Sequence, residues 1–207
     1  MPELPQNPKY NVLMLGWEFY PVFAGGMGVV TSEIVHGLTD ANIGVHFVIP
    51  KLPKKIVLEK GHITSAKDYK AKKTTIRRLE ENQPIRKTYV ETNFSPYDTK
   101  NIAPGYDNSN AVHDQAQGEN ATSENNNPAS IYDNTFKEID VFEDKTAQIA
   151  MESNFELIHA HEWLTFRAAL RAKEITGKPV VLHVHATETD RSGDNPNPFI
   201  FDIDSLN

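Results

Sequence analysis

Two pairs of histidines are the residues of this sequence with the clearest capacity for chemistry. His159 and His161 form one His-X-His pair, and His183 and His185 form another. Residues two apart on a β-strand point to the same face, so each pair can present two imidazoles together. Imidazole is a common ligand for zinc and other metals. A metal-dependent hydrolase that uses these histidines and a carboxylate such as Asp190 is therefore one hypothesis, and half-buried strand histidines with a structural role are the alternative.

A glycine-rich segment near the N-terminus is the second candidate. Gly25-Gly26-Met27-Gly28 precedes an apolar pattern with helical spacing. The amides and the dipole of a helix N-terminus attract anions, and glycine lets a ligand approach the backbone closely. The segment matches neither the dinucleotide-binding fingerprint nor the P-loop. An anion site and a simple tight turn are therefore both consistent with it.

The elements that would position these residues alternate between strand and helix. Short apolar runs predict buried strands, and apolar residues three or four apart predict helices. Strands are predicted at 10–16, 44–50, 86–92, 155–160 and 179–185. Helices are predicted at 29–41 and from Trp163 to Gly177, and one or two helices from Asn134 to about Ser153. This alternation predicts an α/β fold with a Rossmann-like parallel sheet and helices on both faces. Because ligands bind beyond the C-terminal ends of such strands, the glycine segment and both histidine pairs should meet at one rim.

Composition narrows the classes of function. The chain has 207 residues, which suits one α/β domain. It contains no cysteine, which excludes a disulfide framework, a thiol nucleophile and a cysteine zinc site. Its net charge of −7 argues against nucleic-acid binding over the whole surface. The sequence shows neither an apolar run long enough to span a membrane nor a signal-peptide pattern, so we expect a cytoplasmic protein without a membrane partner.

Two stretches differ in composition from the rest. More than half of the lysines and arginines lie between Lys51 and Lys87. This predicts a solvated helix face with flanking loops or, alternatively, a patch for an anionic ligand. Residues 103–130 contain one large aliphatic side chain, Val112, and no basic residue. Such a segment buries too little apolar surface to offset its ordering entropy, so a flexible insertion is predicted there.

Three motifs, in this order, resemble those of glycogen and starch synthase-like retaining glycosyltransferases. The run from Leu15 to Val22, followed by the glycine segment, resembles the N-terminal signature of the family. The run from Ile158 to Trp163 is similar to its His-Ala-His-Asp-Trp motif. The run from Val184 to Gly193 is similar to a segment of the glycogen synthase-like members. The resemblance covers residues 10 to about 50 and about 134 to 204.

The resemblance implies the N-terminal, acceptor-side half of a GT-B fold, in which two Rossmann-like domains face each other across a cleft. The implied reaction transfers glucose from a nucleotide sugar, ADP- or UDP-glucose, to an α-glucan acceptor with retention and without a required metal or other cofactor. His161 is implied to lie beside the transferring sugar and the glycine loop beside the donor diphosphate. The residues implied to bind donor or acceptor are Glu18, Gly25, Gly26, His185, Glu188, Asp190 and Arg191.

The sequence departs from the family pattern at three points. Phe23 occupies the position two residues before the glycine pair, where many synthases have lysine, and Glu162 stands where aspartate is usual. The sequence ends at Asn207, so we expect the donor domain to lie outside residues 1–207 and these residues alone to be inactive. A non-catalytic module that binds glucan or a partner through the same face is the alternative to an enzyme domain.

Overall fold

Strands and helices alternate along the part of the chain that the computed structural model describes, which is residues 8–21, 25–52, 61–81, 128–187 and 190. The strands are β1 (Asn11–Leu15), β2 (Gly44–Ile49), β3 (His62–Ser65), β4 (Leu157–His161) and β5 (Val180–His183). The helices are α1 (Gly26–Asp40), α2 (Lys73–Glu81), α3 (Pro128–Glu152) and α4 (Trp163–Thr176). None of the helices within these ranges is long and apolar enough to cross a membrane.

The five strands form one parallel sheet with the order β3-β2-β1-β4-β5. From β1 the chain moves to β2 and β3 on one side, and it then returns to the other side of β1 for β4 and β5. The strand order therefore reverses between β1 and β4: successive strands are added on one side of β1 and then on the other, while all strands stay parallel. The predicted Rossmann-like parallel sheet is confirmed.

Apolar residues of the central strands hold the helices on the sheet. α1 packs on β2, and α4 packs on β4 and β5. α1 connects β1 to β2 and α4 connects β4 to β5, and these two connections run in opposite directions across the sheet. Because such crossovers are right-handed, α1 and α4 lie on opposite faces of the sheet. On the α1 face, Val35 packs with Val12, Met14 and Phe47 in one buried cluster. The ring of Phe19, which follows β1, lies 4.8 Å from that of Phe47, so the segment after β1 is anchored in the same core.

The ends of two helices compare with the sequence predictions in different ways. α4 ends at Gly177 as predicted, because this glycine adopts a left-handed φ of 69° and its amide bonds to the carbonyl of Lys173. α3 begins at Pro128, six residues before the predicted start at Asn134, and is one continuous helix. Proline is favoured in the first turn of a helix, where its missing N–H costs no hydrogen bond.

Several sequence predictions concern regions that the structure describes only in part. α2 lies in the basic stretch, where the exposed Arg77 bonds to Glu81 at 2.9 Å, as expected of a solvated helix face. The strand predicted at 86–92 and residues 103–127 of the predicted insertion lie outside the described residues, and residues 128–130 begin α3. The chain divides into two units, residues 1–87 with 139–207 and residues 88–138. The first unit contains the whole sheet.

Candidate functional site

The point at which the strand order reverses determines where a ligand can bind. In open parallel sheets, ligands occupy the crevice beyond the carboxyl ends of the two strands where the strand order reverses. Here those strands are β1 and β4, which pair with Leu15 opposite Ala160. The glycine loop follows β1 and opens α1, and His161 is the last residue of β4. The two sequence candidates therefore lie on elements that flank the same crevice.

The glycine loop forms the N-terminus of α1. Gly25 is the N-cap residue, with φ −67° and ψ 158°, and as a glycine it has no side chain with which to cap the helix. A Cβ atom at Gly25 would lie 2.6 Å from Oε2 of Glu18, so this glycine leaves room for the Glu18 carboxylate. A Cβ atom at Gly26 would meet no described atom within 4 Å, and Gly26 has no left-handed φ. A carboxylate beside a helix N-terminus is electrostatically favourable, so Glu18 is well placed at the positive end of the α1 dipole.

The segment between β1 and the glycine loop is held against α1 by two hydrogen bonds. The amide of Tyr20 donates to the carbonyl of Gly28 at 3.0 Å, and the hydroxyl of Thr31 donates to the carbonyl of Glu18 at 2.8 Å. The Thr31 hydroxyl is buried within α1, so this contact depends on packing as well as on the loop sequence. Glu18 is thus fixed beside the first turn of the helix.

Four histidines cluster at the ends of β4 and β5. His159 pairs directly with Met14 in the sheet register and therefore points to the same face, and His161 pairs directly with His183. The ring centroids of His159 and His161 are 4.3 Å apart, and those of His183 and His185 are 4.2 Å apart. One ring nitrogen from each of His159, His161 and His183 lies within 4.8 Å of the other two.

The protonation of this cluster follows from burial. His161 is fully buried, and burial together with the neighbouring histidines His159, His183 and His185 lowers its pKa to about 3. Burial and the charges of His183 and His185 lower the pKa of His159 to about 4. Both imidazoles are therefore neutral at pH 7, and each has one nitrogen that donates and one that accepts.

The hydrogen bonds of His161 are only half complete. Its Nδ1 lies 2.9 Å from Nε2 of His185. Its Nε2 is buried and has no hydrogen-bond partner among the described residues. Buried polar atoms are nearly always paired in folded proteins, and unpaired ones concentrate where a ligand, water or ion completes them. Nε2 of His161 is therefore the atom of this cluster that is best placed for a ligand.

Glu162 connects the end of β4 to the segment after β5. Its side chain is buried, and its Oε1 accepts the amides of His185 at 2.6 Å and Ala186 at 3.0 Å. Its own amide donates to the carbonyl of His183. Glu162 also has a φ of 65°, a left-handed conformation that is uncommon for residues other than glycine. This residue fixes the position of His185 relative to His161.

The third sequence motif is described in part. The Oδ2 atom of Asp190 accepts the amide and the hydroxyl of Thr187, at 2.8 Å and 2.7 Å, so Asp190 closes a local turn. Its side chain lies in an exposed setting. Glu188 and Arg191 lie outside the described residues.

The structure brings some sequence candidates together and adds others. It joins His161 to His185 and Glu18 to Gly25. Sequence reasoning did not assign a role to the Glu162 side chain, because a carboxylate that binds amides more than twenty residues away leaves no local signal. His159 and His183 were visible in the His-X-His pattern, and the direct pairing of His161 with His183 required the register of β4 and β5.

Comparison with known proteins identifies one family. Residues 11–202 match the model of the starch synthase catalytic domain, and the match includes every element of the sheet. A search of curated proteins finds no match to this chain.

Proposed function

This chain belongs to the starch synthase catalytic domain family, and from that premise we propose that it forms the N-terminal, acceptor-side domain of a glucosyltransferase. The proposed enzyme transfers glucose from ADP- or UDP-glucose to an α-glucan with retention of the anomeric configuration. The donor is bound mainly by a second domain across the cleft. The family supports glycosyl transfer, and the identity of the donor, the acceptor and the stereochemistry are the parts that we propose.

One observation carries this proposal beyond the family. The N-terminus of α1 follows the segment after β1, and Nε2 of His161, which has no hydrogen-bond partner among the described residues, lies at the end of β4, so both flank the point at which the strand order reverses. A diphosphate needs amides and a helix dipole, and a sugar needs a polar group that is not already paired within the protein. The two requirements of a nucleotide sugar are thus supplied by neighbouring elements.

The proposed roles of the residues follow from their geometry. The amides at Gly25 and Gly26 would stabilise the negative charge that develops on the departing diphosphate. Because the pKa of His161 is about 3, its imidazole is neutral and acts as a hydrogen-bond partner of the sugar and not as a cation. If Nδ1 carries the proton and donates to His185, Nε2 can accept a sugar hydroxyl. Glu162 would hold His185 in place for that arrangement.

Transfer of labelled glucose tests the proposal directly. A chain that carries both domains of the GT-B fold is incubated with glycogen and either ADP-glucose or UDP-glucose. We expect labelled glucan, and we expect an enzyme specific for α-linkages to release the label, which establishes retention. Binding of glucan without transfer from either donor would contradict the proposal and indicate a non-catalytic glucan-binding module.

Two glycines of α1 offer a matched test of the diphosphate contact. Neither Gly26 nor Gly37 has a described atom within 4 Å of an added Cβ, and neither has a left-handed φ. Alanine at either helical position should leave stability unchanged or raise it by up to about 1 kcal/mol. Gly26→Ala should raise the KM for the nucleotide sugar about tenfold, because its methyl group obstructs the phosphates, and Gly37→Ala should leave KM unchanged.

Thermal unfolding and donor kinetics are measured on both variants. An unchanged donor KM in Gly26→Ala would show that the glycine loop is only a turn. Equal changes in both variants would show that the effect arises from the helix and not from contact with the donor.

A further inference from the structure

Three histidines form a set of potential metal ligands that the proposed transfer reaction does not require. His159 and His161 are two apart on β4, and His183 lies opposite His161 on β5. A pair at i and i+2 on one strand and a third residue on the adjacent strand share one face of the sheet. One ring nitrogen of each lies within 4.8 Å of the other two. Three ring nitrogens therefore surround a volume of the size of a metal site, and the nearly parallel rings of His159 and His183 must rotate to direct their nitrogens at one ion.

The hydrogen bonding of His161 prepares it for metal binding. Its Nε2 is buried without a hydrogen-bond partner among the described residues, and its Nδ1 lies 2.9 Å from Nε2 of His185. A histidine ligand usually donates its second ring N–H to a neighbouring acceptor, which fixes the tautomer and directs the other nitrogen to the metal. His185 supplies such an acceptor. The unpaired atom and its supporting hydrogen bond thus point to the same use.

The donor set selects a class of ion. The converging ligands within the described ranges are all imidazoles, which suit Zn²⁺, Cu²⁺ and Ni²⁺, whereas Mg²⁺ and Ca²⁺ prefer oxygen ligands. Three histidines and one open position form a known coordination of zinc. Tetrahedral zinc needs nitrogen atoms about 3.4 Å apart, so ring nitrogens that lie up to 4.8 Å apart must approach each other by up to about 1.4 Å. Rotation of the half-buried His159 and His183 side chains can supply this movement.

We propose that His159, His161 and His183 bind one divalent transition-metal ion, with Zn²⁺ as the reference ion. Binding of the ion occupies Nε2 of His161. The same atom is assigned to the sugar in the proposed transfer, so the metal inhibits transfer in place of supporting it. The inhibition rests on the proposed function, and the binding itself does not.

Metal binding is measured on the untagged 207-residue chain with Zn²⁺ alone, by competition with a chromogenic chelator. We expect one Zn²⁺ per chain. Loss of a residue that only supports a metal ligand costs about 10- to 100-fold in affinity, so His159→Asn and His183→Asn should each weaken binding about 100-fold. His36→Asn is the matched control, because His36 is exposed on α1 and is not one of the three clustered histidines, so the affinity should be unchanged.

Co²⁺ provides a second measurement that reports geometry. Bound to three imidazoles and water, it should give the intense visible absorption of tetrahedral Co²⁺, and His183→Asn should abolish the signal. Thermal unfolding without metal establishes that each variant is folded, and two independent ligand variants protect the test against the failure of one. Absence of stoichiometric binding, or binding that both ligand variants leave within twofold of the original, would overturn the site.

The inhibition is tested separately in the two-domain chain. The Zn²⁺ concentration that halves turnover should rise in His183→Asn in proportion to its weaker binding. Stoichiometric binding without inhibition would leave the metal site intact and contradict the position of the sugar at His161. Absence of turnover in every metal-free sample would contradict the proposed function and would not affect the binding result.

Discussion

The sheet contains two cross-strand histidine pairs, each with one histidine on either of two neighbouring strands, and only one of these pairs lies at the candidate site. His46 of β2 is opposite His62 of β3, and His161 of β4 is opposite His183 of β5. The ring centroids are 4.9 Å apart in both pairs. Burial is the main cause that lowers the pKa of His46 to about 4 and that of His161 to about 3. Ring spacing and pKa therefore do not distinguish the two pairs.

The pairs differ in hydrogen bonding. The Nε2 of His46 lies 2.8 Å from the hydroxyl of Thr64, and its Nδ1 lies 3.2 Å from the hydroxyl of Ser153. Both ring nitrogens of His46 thus have partners, whereas Nε2 of His161 has none among the described residues. A buried histidine with complete hydrogen bonds stabilises the fold. A buried histidine with an unpaired ring nitrogen, at the ligand-binding end of a strand, is available to a ligand.

The largest expected difference between the pairs is in turnover. In a chain with both domains, His161→Asn should lower kcat about 100-fold or more, the size of effect seen when one preorganised hydrogen-bonding group is lost from an active site. His46→Asn should change kcat less than about twofold at a temperature where both variants are folded. Circular dichroism verifies folding. Similar kcat losses in the two variants would remove the distinction between structural and functional histidines.

Glu162 supports the cross-strand pair of His161 and His183, and its loss should lower the free energy of unfolding strongly. Glu162→Ala removes the acceptor of two amides, and hydrogen bonds to a charged group are worth about 1.5–3 kcal/mol each, so we expect the free energy of unfolding to fall by about 3–6 kcal/mol. Glu162→Gly should lose about 1 kcal/mol less, because glycine relieves the strain of a φ of 65°. Urea unfolding measures both variants. Equal losses would show that the backbone at this position is not strained.

The smallest expected effect is on stability at acid pH and concerns His46, in the cross-strand pair of His46 and His62. The pKa of His46 is about 4 in the folded chain and about 6.5 when unfolded, so below pH 6.5 the unfolded state binds more protons. The contribution of neutral His46 to the free energy of unfolding is complete above pH 6.5 and is lost as the pH falls towards 4. At pH 5 the loss is about 2 kcal/mol.

His46→Gln can still bond to the two hydroxyls but does not titrate. Between pH 7 and pH 5 it should therefore lose about 2 kcal/mol less stability than the unmodified chain. Urea unfolding is performed at both pH values with a chelator present. If the two proteins lose the same stability, His46 is not a source of the acid sensitivity.

The parts of the fold that the sequence predicted are those with continuous apolar runs. β1, β2 and β4 were predicted to within a few residues, because inner strands of a parallel sheet are covered on both faces. The edge strand β5 was predicted from its apolar run Val180-Val-Leu182, although Val181 and Leu182 are exposed. β3, with the sequence His62-Ile-Thr-Ser65, was not predicted, since a short edge strand that is half exposed has no such run. α2 was hidden in the basic stretch because Thr75 and Leu79 are its only described buried residues.

The candidate site was predicted in outline and not in detail. Motif positions at strand ends predicted that the glycine loop and His161 would share one edge of the sheet, and the strand order agrees. The contact of Glu18 with Gly25 and the bonds of Glu162 to the amides after β5 depend on exact backbone positions. A left-handed φ at a glutamate has no signature in residue type, so its structural role could only be found in three dimensions.

The strand order also determines when the site can form during synthesis. β1 pairs with β2 soon after both leave the ribosome, but its other edge waits for β4, more than one hundred residues later. At about 5–20 residues per second, this edge remains unpaired for about 7–28 s. It belongs to a strand in which Leu13 and Leu15 are fully buried once folding is complete, and unpaired apolar edges are templates for aggregation. The crevice between β1 and β4 therefore forms late, and until then the unpaired edge of β1 is exposed to chaperones and to misassembly.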